Sequence, residues 1–288
     1  MASTRQLKSR VKSVKGTRQI TKAMQLVSAS KMRRAQEVAN QVQLFSDAAR
    51  ELLTHLRSLT DTFNHHLFVE RPVKARLVVL ITSDKGLAGA YNSNILRRYT
   101  EQLRNDDKAG IKTSTICMGR KASQFVVRIK SADIIGVYEG FPEHPTDNDL
   151  EPIISTILSQ FINGTVDSVD VIYTEYKNSI LQVATTKRLL PAGFEATTVS
   201  QSVSMASFEP SAEEVLEVAT KRLIAVQLYQ AYLDSAASEQ SMRMMAMKNA
   251  TDNAGDLIED LTLEMNKVRQ ASITQELSEI SGGVEAMK

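Results

Sequence analysis

The sequence predicts an α/β domain with a mostly parallel sheet, flanked by N- and C-terminal helices that pair as a long antiparallel coiled coil. Three observations lead there. All six Pro and eight of the twelve Gly lie between residues 72 and 210, so breakers are confined to the middle of the 288-residue chain. Both flanks repeat apolar residues at heptad spacing. The middle alternates short apolar runs with helical stretches. Three segments follow: a coiled-coil helix over 1–72, the α/β domain over 73–207, and a second coiled-coil helix over 208–288.

In the first segment Val38, Val42, Phe45, Ala49, Leu52, Leu56, Leu59 and Phe63 alternate in steps of four and three. That keeps one apolar seam facing a partner helix. Leu7, Val11, Val14, Ile20, Met24 and Val27 continue it more loosely. In the middle, Arg76–Thr82 is a continuous apolar run suited to a buried parallel strand. Helix is expected over 95–104, strand over 112–118, helix over 120–129 and strand over 132–138. A Pro-rich loop at 141–152 and a helix from about 150 to 162 follow. The last two strands, 168–176 and 180–190, sit close enough to form a hairpin. This alternation describes a Rossmann-like sheet. In the final segment Val215, Ala219, Arg222, Val226, Tyr229, Leu233 and Ala236 keep the four-three rhythm, and Ala254, Ile258, Leu261, Met265 and Val268 resume it. The seam turns polar at Ser272 and Gln275, where packing weakens or the partner changes. Helices this long are not stable alone, and burying the seams against each other is the remedy.

Composition narrows the function. Aromatics are 5% and Trp is absent, which is low for a carbohydrate cleft or a base-stacking surface. The one Cys, Cys117, excludes an intramolecular disulfide and a thiolate zinc cluster. No run is long and apolar enough for a transmembrane helix. The net charge of +2 conceals an asymmetry: residues 1–36 hold ten Lys/Arg and no acid, while 209–288 hold seven against fourteen Asp/Glu. The basic end is compatible with a solvated helix face, with a nucleic-acid or membrane patch, or with an organelle transit peptide. Against the last, the helical pattern runs through residue 63 unbroken.

Catalytic constellations are lacking. Ser83-Asp84-Lys85-Gly86-Leu87-Ala88-Gly89 follows the first strand, where doubly wound folds bind phosphate, but its glycine spacing fits no phosphate-binding fingerprint. It reads as a tight connection whose charged tip can serve as a contact surface. His55, His65, His66 and His144 show no metal-ligand spacing. Cys117 lies in a strand without a nearby His and reads as a small hydrophobe. Met242, Met244, Met245 and Met247 read as core filler or as an adaptable contact surface. No cofactor, metal or catalytic residue is expected.

The two ends carry a resemblance. The stretch Ile20-Thr21-Lys22-Ala23-Met24-Gln25-Leu26-Val27-Ser28-Ala29-Ser30-Lys31-Met32 resembles the N-terminal signature of the gamma subunit of F-type ATP synthases. Ser238 through Ala254 and Arg269-Gln270-Ala271-Ser272-Ile273-Thr274-Gln275-Glu276-Leu277 resemble that family's most specific block, and Ser83–Leu87 also fits. The resemblance implies a non-catalytic central rotary shaft, coupling ion flow through a membrane ring of c subunits to ATP synthesis or hydrolysis in a hexamer of alpha and beta subunits. Implied partners are alpha and beta subunits (three each), the epsilon subunit and the c-ring. Neither nucleic acid nor direct membrane insertion is implied. By carry-over, Arg269 and Gln270 match a polar catch for a beta subunit. Met24 and Arg243 match the positions where rotation couples to catalysis. Lys31, Arg33, Arg34 and Lys85 would face the acidic lever of the beta subunits, and Phe208 and Glu209 match a foot near the ring and epsilon. The implied location is peripheral, on the cytoplasmic face of a bacterial plasma membrane, with a mature organelle chain as the alternative. Ala88 stands where many relatives carry Cys, and Gly282-Gly283 where Gly-Ala is commoner, so the tip is expected to fray sooner. A thiol-regulated insert is missing, and redox control of that kind is not expected. The competing reading is a basic coiled-coil adaptor for nucleic acid or acidic proteins.

Overall fold

In the computed structural model, residues 4–59, 66–129, 132–142, 145–193, 199–200, 208–209 and 211–286 are described. Phe63, His65 and His144 lie outside them. The elements in order are α1 (Thr4–Leu59), β1 (Ala75–Ile81), α2 (Tyr91–Ala109), β2 (Lys112–Met118), α3 (Arg120–Val126), β3 (Asp133–Tyr138), α4 (Asp147–Ile162), β4 (Ser168–Tyr176), β5 (Gln182–Leu190) and α5 (Ala212–Ala286). At 1.5 Å per residue the 56 residues of α1 span about 84 Å and the 75 of α5 about 112 Å. The chain forms two compact units, Met1–Ser28 with Arg243–Lys288, and Ala29–Met242.

The larger unit is built on a five-stranded sheet of order β3-β2-β1-β4-β5. Its first four strands pair in parallel, and β5 returns antiparallel to β4. β1 is central, and Leu77 to Leu80 are fully buried, because both of its faces are covered. On one face Val78, Leu80 and Cys117 pack against Tyr91, Ile95 and Tyr99 of α2 and Ala122 and Val126 of α3. On the other, Leu77, Val79 and Ile81 pack against Ile153, Ile157 and Phe161 of α4 and Ile224 and Leu228 of α5. Several boundaries differ from the sequence reading. α2 starts earlier and runs on to Gly110, whose left-handed φ of 69° closes the helix. α4 starts at Asp147, because the Asp149 carboxylate accepts the Thr146 N–H at 2.7 Å and caps the first turn. Pro152 therefore sits inside α4 rather than in the preceding loop.

Within this unit the seam of α1 is phased differently from the heptad count. Val42, Ala49 and Leu56 hold, but Phe45 is 50% exposed while Ser46 is fully buried, and Leu53 replaces Leu52 as the buried leucine. The count let the largest apolar side chains mark the seam. The burial instead follows Met32, Ala35, Ser46, Leu53 and Leu56, in which small side chains admit a close neighbour. Gln230 Nε2 of α5 donates to Gln43 Oε1 of α1, and Leu53 and Leu56 pack on Leu216 and Leu223.

α5 is buried nearly all round from Leu223 to Ser241 because it lies against both α1 and the sheet. Its buried serines have a specific task. β1 pairs with β4 only as far as Ile172. Beyond that, the Thr174 N–H donates to Ser235 Oγ at 3.4 Å, and Ser238 Oγ donates to the Thr174 carbonyl at 3.2 Å. Ser241 Oγ donates to the Ser179 carbonyl at 3.0 Å and accepts from Gln182 at 3.2 Å. Ser235 and Ser238 thus supply hydrogen bonds that a neighbouring strand would have made, and Ser241 ties the β4–β5 hairpin to α5.

At the amino ends of the strands Arg76 is ion-paired to both Asp106 and Asp170, and Arg188 also pairs with Asp170. The Arg76 Nε lies 3.0 Å from Asp106 Oδ2 but off the hydrogen-bond axis. Thr113 and Gln102 hydroxyl and amide groups complete Asp106 at 3.0 Å each.

The smaller unit is an antiparallel helix pair. Thr251 Oγ1 meets Thr21 Oγ1 at 2.8 Å, and Arg18 lies over Gly255, so descending α1 corresponds to ascending α5. Ala254 and Leu261 are buried and Ile258, Met265 and Val268 half-buried, as the heptad seam from sequence expects, and the buried Met247 and Thr251 extend that seam toward the larger residue numbers of α1. The same register places Thr4 opposite about residue 268. α5 continues past the described start of α1, and every side chain from Arg269 to Ser278 is exposed. Ser272 and Gln275, where the seam turns polar, lie in this exposed stretch. The helix runs through Gly282-Gly283 to Ala286.

Candidate functional site

The residues singled out from sequence fall in several places. In the smaller unit, Arg269 and Gln270 are exposed at the start of the overrunning stretch of α5. Met24 is half-buried and Arg243 is 8% exposed. Lys8, Arg10, Lys12, Lys15, Arg18 and Lys22 are all exposed, so the basic charge of α1 is presented outward. In the larger unit, Arg33 and Arg34 are exposed and Lys31 is half-buried.

Lys85 is exposed at the tip of the loop after β1. The loop is held from behind. Ser83 Oγ donates to the Lys85 carbonyl at 2.7 Å, and Asn92 Nδ2 donates to Ser83 Oγ at 2.8 Å. Asp84 accepts the Arg120 N–H at 2.9 Å and the Gly140 N–H at 3.0 Å, tying three connections at the carboxyl ends of the strands. The next amides of α3 are also taken, Lys121 N–H by the Ser83 carbonyl and Ala122 N–H by Thr82 Oγ1. The first amides of α3, which an anion could otherwise meet at a helix N-terminus, are thus used by the protein itself. Gly119, at φ 99°, has the Thr82 carbonyl so close that a Cβ would lie 2.2 Å from its oxygen. The tip carries Leu87, 64% exposed and in the left-handed region at φ 63°. Asp84 carries no sequence signal that distinguishes it from a solvated loop acid, and its bracing role emerges only from the fold.

Phe208 is half-buried on Leu53, Leu56, Leu216 and Leu223, with its ring 5.8 Å from that of His55. Glu209 is exposed and borders an apolar cleft of about 540 Å³ with Phe45, Ala48, Leu52, Val215, Val218 and Arg222. The cleft exists because the seam phase turns Phe45 outward.

The titratable groups describe scaffold rather than chemistry. Burial pushes the Cys117 thiol up to about 11, which suppresses a thiolate nucleophile. Burial also pushes Tyr99 up to about 12. Glu139 is held below the usual carboxylate range by hydrogen bonds from Ser123 and Arg120. Asp234 is raised to about 6, chiefly by burial, with Glu175 adding and Lys187 and Lys177 opposing. Among the described residues no group of three His, Cys, Asp or Glu is placed to hold a metal ion, and no helix is long and apolar enough to cross a membrane.

A family model described as ATP synthase matches residues 3–287. The ATP synthase gamma chain of Legionella pneumophila (strain Corby) is 36% identical over 290 residues, covering all of both chains. That of Staphylococcus carnosus (strain TM300) is 37% identical over 289 residues, again covering all of both. Among solved structures, a chain of the Tetrahymena thermophila mitochondrial ATP synthase central stalk and c-ring matches 80% of this chain and 99% of its own length, with TM-score 0.61 and 27% identity. A chain of the Euglena gracilis mitochondrial ATP synthase matches 99% of this chain and 94% of its own, with TM-score 0.68; at 19% identity it bears on fold alone.

Proposed function

Since the chain belongs to the gamma-chain family of ATP synthases, we infer that it works as the central rotary shaft, a non-catalytic subunit whose turning links ion flow through the c-ring to catalysis in the alpha and beta subunits. The full-length likeness to gamma chains carries this reading. The physical features suit it. A shaft must resist bending and twisting, and an antiparallel helix pair with a heptad seam does so better than one helix. It must also present unlike faces to like neighbours. One chain among repeated subunits does this, because each neighbour meets a different face and its equilibrium shifts by the difference in contact energy. The adaptor reading has no likeness among these relatives to support it.

Residue roles are part of the proposal. Arg269 and Gln270 catch a beta subunit from their exposed positions on α5. Lys31, Arg33, Arg34 and Lys85 meet acidic groups of beta subunits. Exposed charge pairs of this kind hold by about 0–1 kcal/mol each, weak enough to release at every step. Met24 and Arg243 couple rotation to catalysis through the packing of the helix pair, since neither projects freely. Phe208 and Glu209 belong to the foot that meets the epsilon subunit and the c-ring, and the apolar cleft beside Glu209 is the surface on which epsilon docks. The chain then sits peripherally on the cytoplasmic face of a bacterial plasma membrane.

Reconstitution tests this. Mixed with alpha and beta subunits, the chain should enter a complex of one copy with three of each and raise ATPase activity. Failure to co-purify would overturn the reading. Arg269→Ala with Gln270→Ala should lower coupled ATP synthesis while helicity is kept, and unchanged synthesis would discard that assignment.

A further inference from the structure

We propose that the antiparallel helix pair of the smaller unit contains a compliant joint at the level of Gly16 and Gly255, where it bends and twists more readily than on either side. The starting observation is their placement. Thr21 meets Thr251 and Arg18 lies over Gly255, so the antiparallel register puts Gly16 opposite residue 256 or 257. The two glycines, one in each helix, are therefore level to within about 1.5–3 Å along the axis.

Neither glycine has a steric reason to be there. A Cβ on Gly16 would meet nothing within 4 Å, and one on Gly255 would make only ordinary contact with Arg18, at 3.8 Å. Neither adopts positive φ. Alanine fits both positions and favours helix. Glycine in a helix interior opens its turn about fivefold more readily than alanine. Two such positions facing each other weaken both helices at one level, where neither can splint the other.

Packing at this level is also thin. No apolar side chain of α1 is buried between Leu7 and Met32; its buried positions there are Thr21 and Ser28. The Thr21–Thr251 hydroxyl contact links the pair near this level, with Ala254 the nearest buried apolar side chain on α5 among the described residues. These two threonines, and Thr17, also bond back to their own helices. Thr17 donates to the Ser13 carbonyl at 3.3 Å, Thr21 to that of Arg18 at 3.1 Å, and Thr251 to that of Met247 at 2.7 Å. Thr21 and Thr251 have two hydroxyl protons for three hydrogen bonds, so one backbone carbonyl gives up its bond whenever the cross-link forms. Back-bonding of this type loosens and bends helices.

Hydrogen exchange on the full chain tests the joint without reference to rotation. Amides of residues 13–20 and 252–259 should exchange faster than those on either side, as paired maxima at one level. Gly16→Ala and Gly255→Ala should each slow their own maximum about fivefold, with circular dichroism otherwise unchanged. A smooth gradient from the helix ends inward, or maxima untouched by both replacements, would overturn the proposal. A second measurement rests on the rotary reading. In the assembled complex the double variant should narrow the angular fluctuations of a probe attached to the chain while ATPase activity persists. Slowed exchange with unchanged fluctuations would confine the joint to the free chain and refute its part in the assembly.

Discussion

Replacing Ser235 with Ala tests how α5 is joined to the sheet. Ser235 is 1% exposed, and its hydroxyl lies 2.7 Å from that of Tyr91, also 1% exposed. It accepts the Thr174 N–H as well, at 3.4 Å. The replacement removes one oxygen and almost no packing, but leaves the Tyr91 hydroxyl and the Thr174 amide without that partner. A buried polar group stripped of its partner costs about 1–3 kcal/mol, and the longer Thr174 bond belongs at the low end. The better helix propensity of Ala returns a few tenths. The expected loss is about 2–3 kcal/mol. Tyr91→Phe alone should cost about 1 kcal/mol, and the double variant should cost less than the two singles added, because the second removal deletes the hydroxyl that lost Ser235. Urea titration followed by tyrosine fluorescence reads this directly, since all seven tyrosines lie between residues 91 and 232, within the larger unit. A loss below about 0.5 kcal/mol for Ser235→Ala, or strict additivity in the cycle, would refute the reasoning.

Other replacements bear on the same unit. Arg76→Met withdraws the cation shared by Asp106 and Asp170, whose side chains are each 3% exposed; Arg188 stays with Asp170, but among the described residues Asp106 keeps the neutral donors Gln102 and Thr113. Breaking such a buried pair should cost about 3–5 kcal/mol in urea titration at neutral pH, and a change under about 1 kcal/mol would contradict the buried-network account. Ser46→Ala should stabilise by about 1 kcal/mol, because Ser46 is fully buried and its hydroxyl has no hydrogen-bond partner among the described residues; a loss of stability would show that the hydroxyl is satisfied. Asp234 gives a pH signature. Its folded carboxyl, raised to about 6 chiefly by burial, binds a proton more tightly than the unfolded one at 3.8. Stability therefore falls as pH rises from about 4 to 6 and levels off above. Asp234→Asn removes that slope, so the variant should gain on the wild type across this window by about 1–3 kcal/mol; a constant difference across the pH series would count against it.

Much of the fold is legible in the sequence because the breakers and the two periodicities agree with each other. Pro and Gly mark the middle, the apolar run at Arg76–Thr82 becomes the central strand, and 168–176 is a strand to the residue. The phase of α1 was not legible, because a seam that admits a close neighbour is written in small residues such as Ala35 and Ser46. A count of large apolar side chains selects Phe45 instead. Nor were the roles of Ser235, Ser238 and Ser241. Those of Ser235 and Ser238 follow from β1 ending short of Thr174, which is a fact of strand register rather than of local sequence. Their three-residue spacing within a buried stretch of α5 was the available signal. The candidate contact residues came from resemblance alone. Arg269 and Gln270 have the chemistry of any exposed helix position, and only a partner distinguishes them.

The most direct measurement of the central claim is rotation. With alpha and beta subunits fixed to a surface and a probe on an exposed position of this chain, addition of ATP should drive the probe in one direction through repeated turns, stopping when ATP is removed. A chain that assembles with those subunits and supports hydrolysis while the probe only jitters about one orientation would contradict the account.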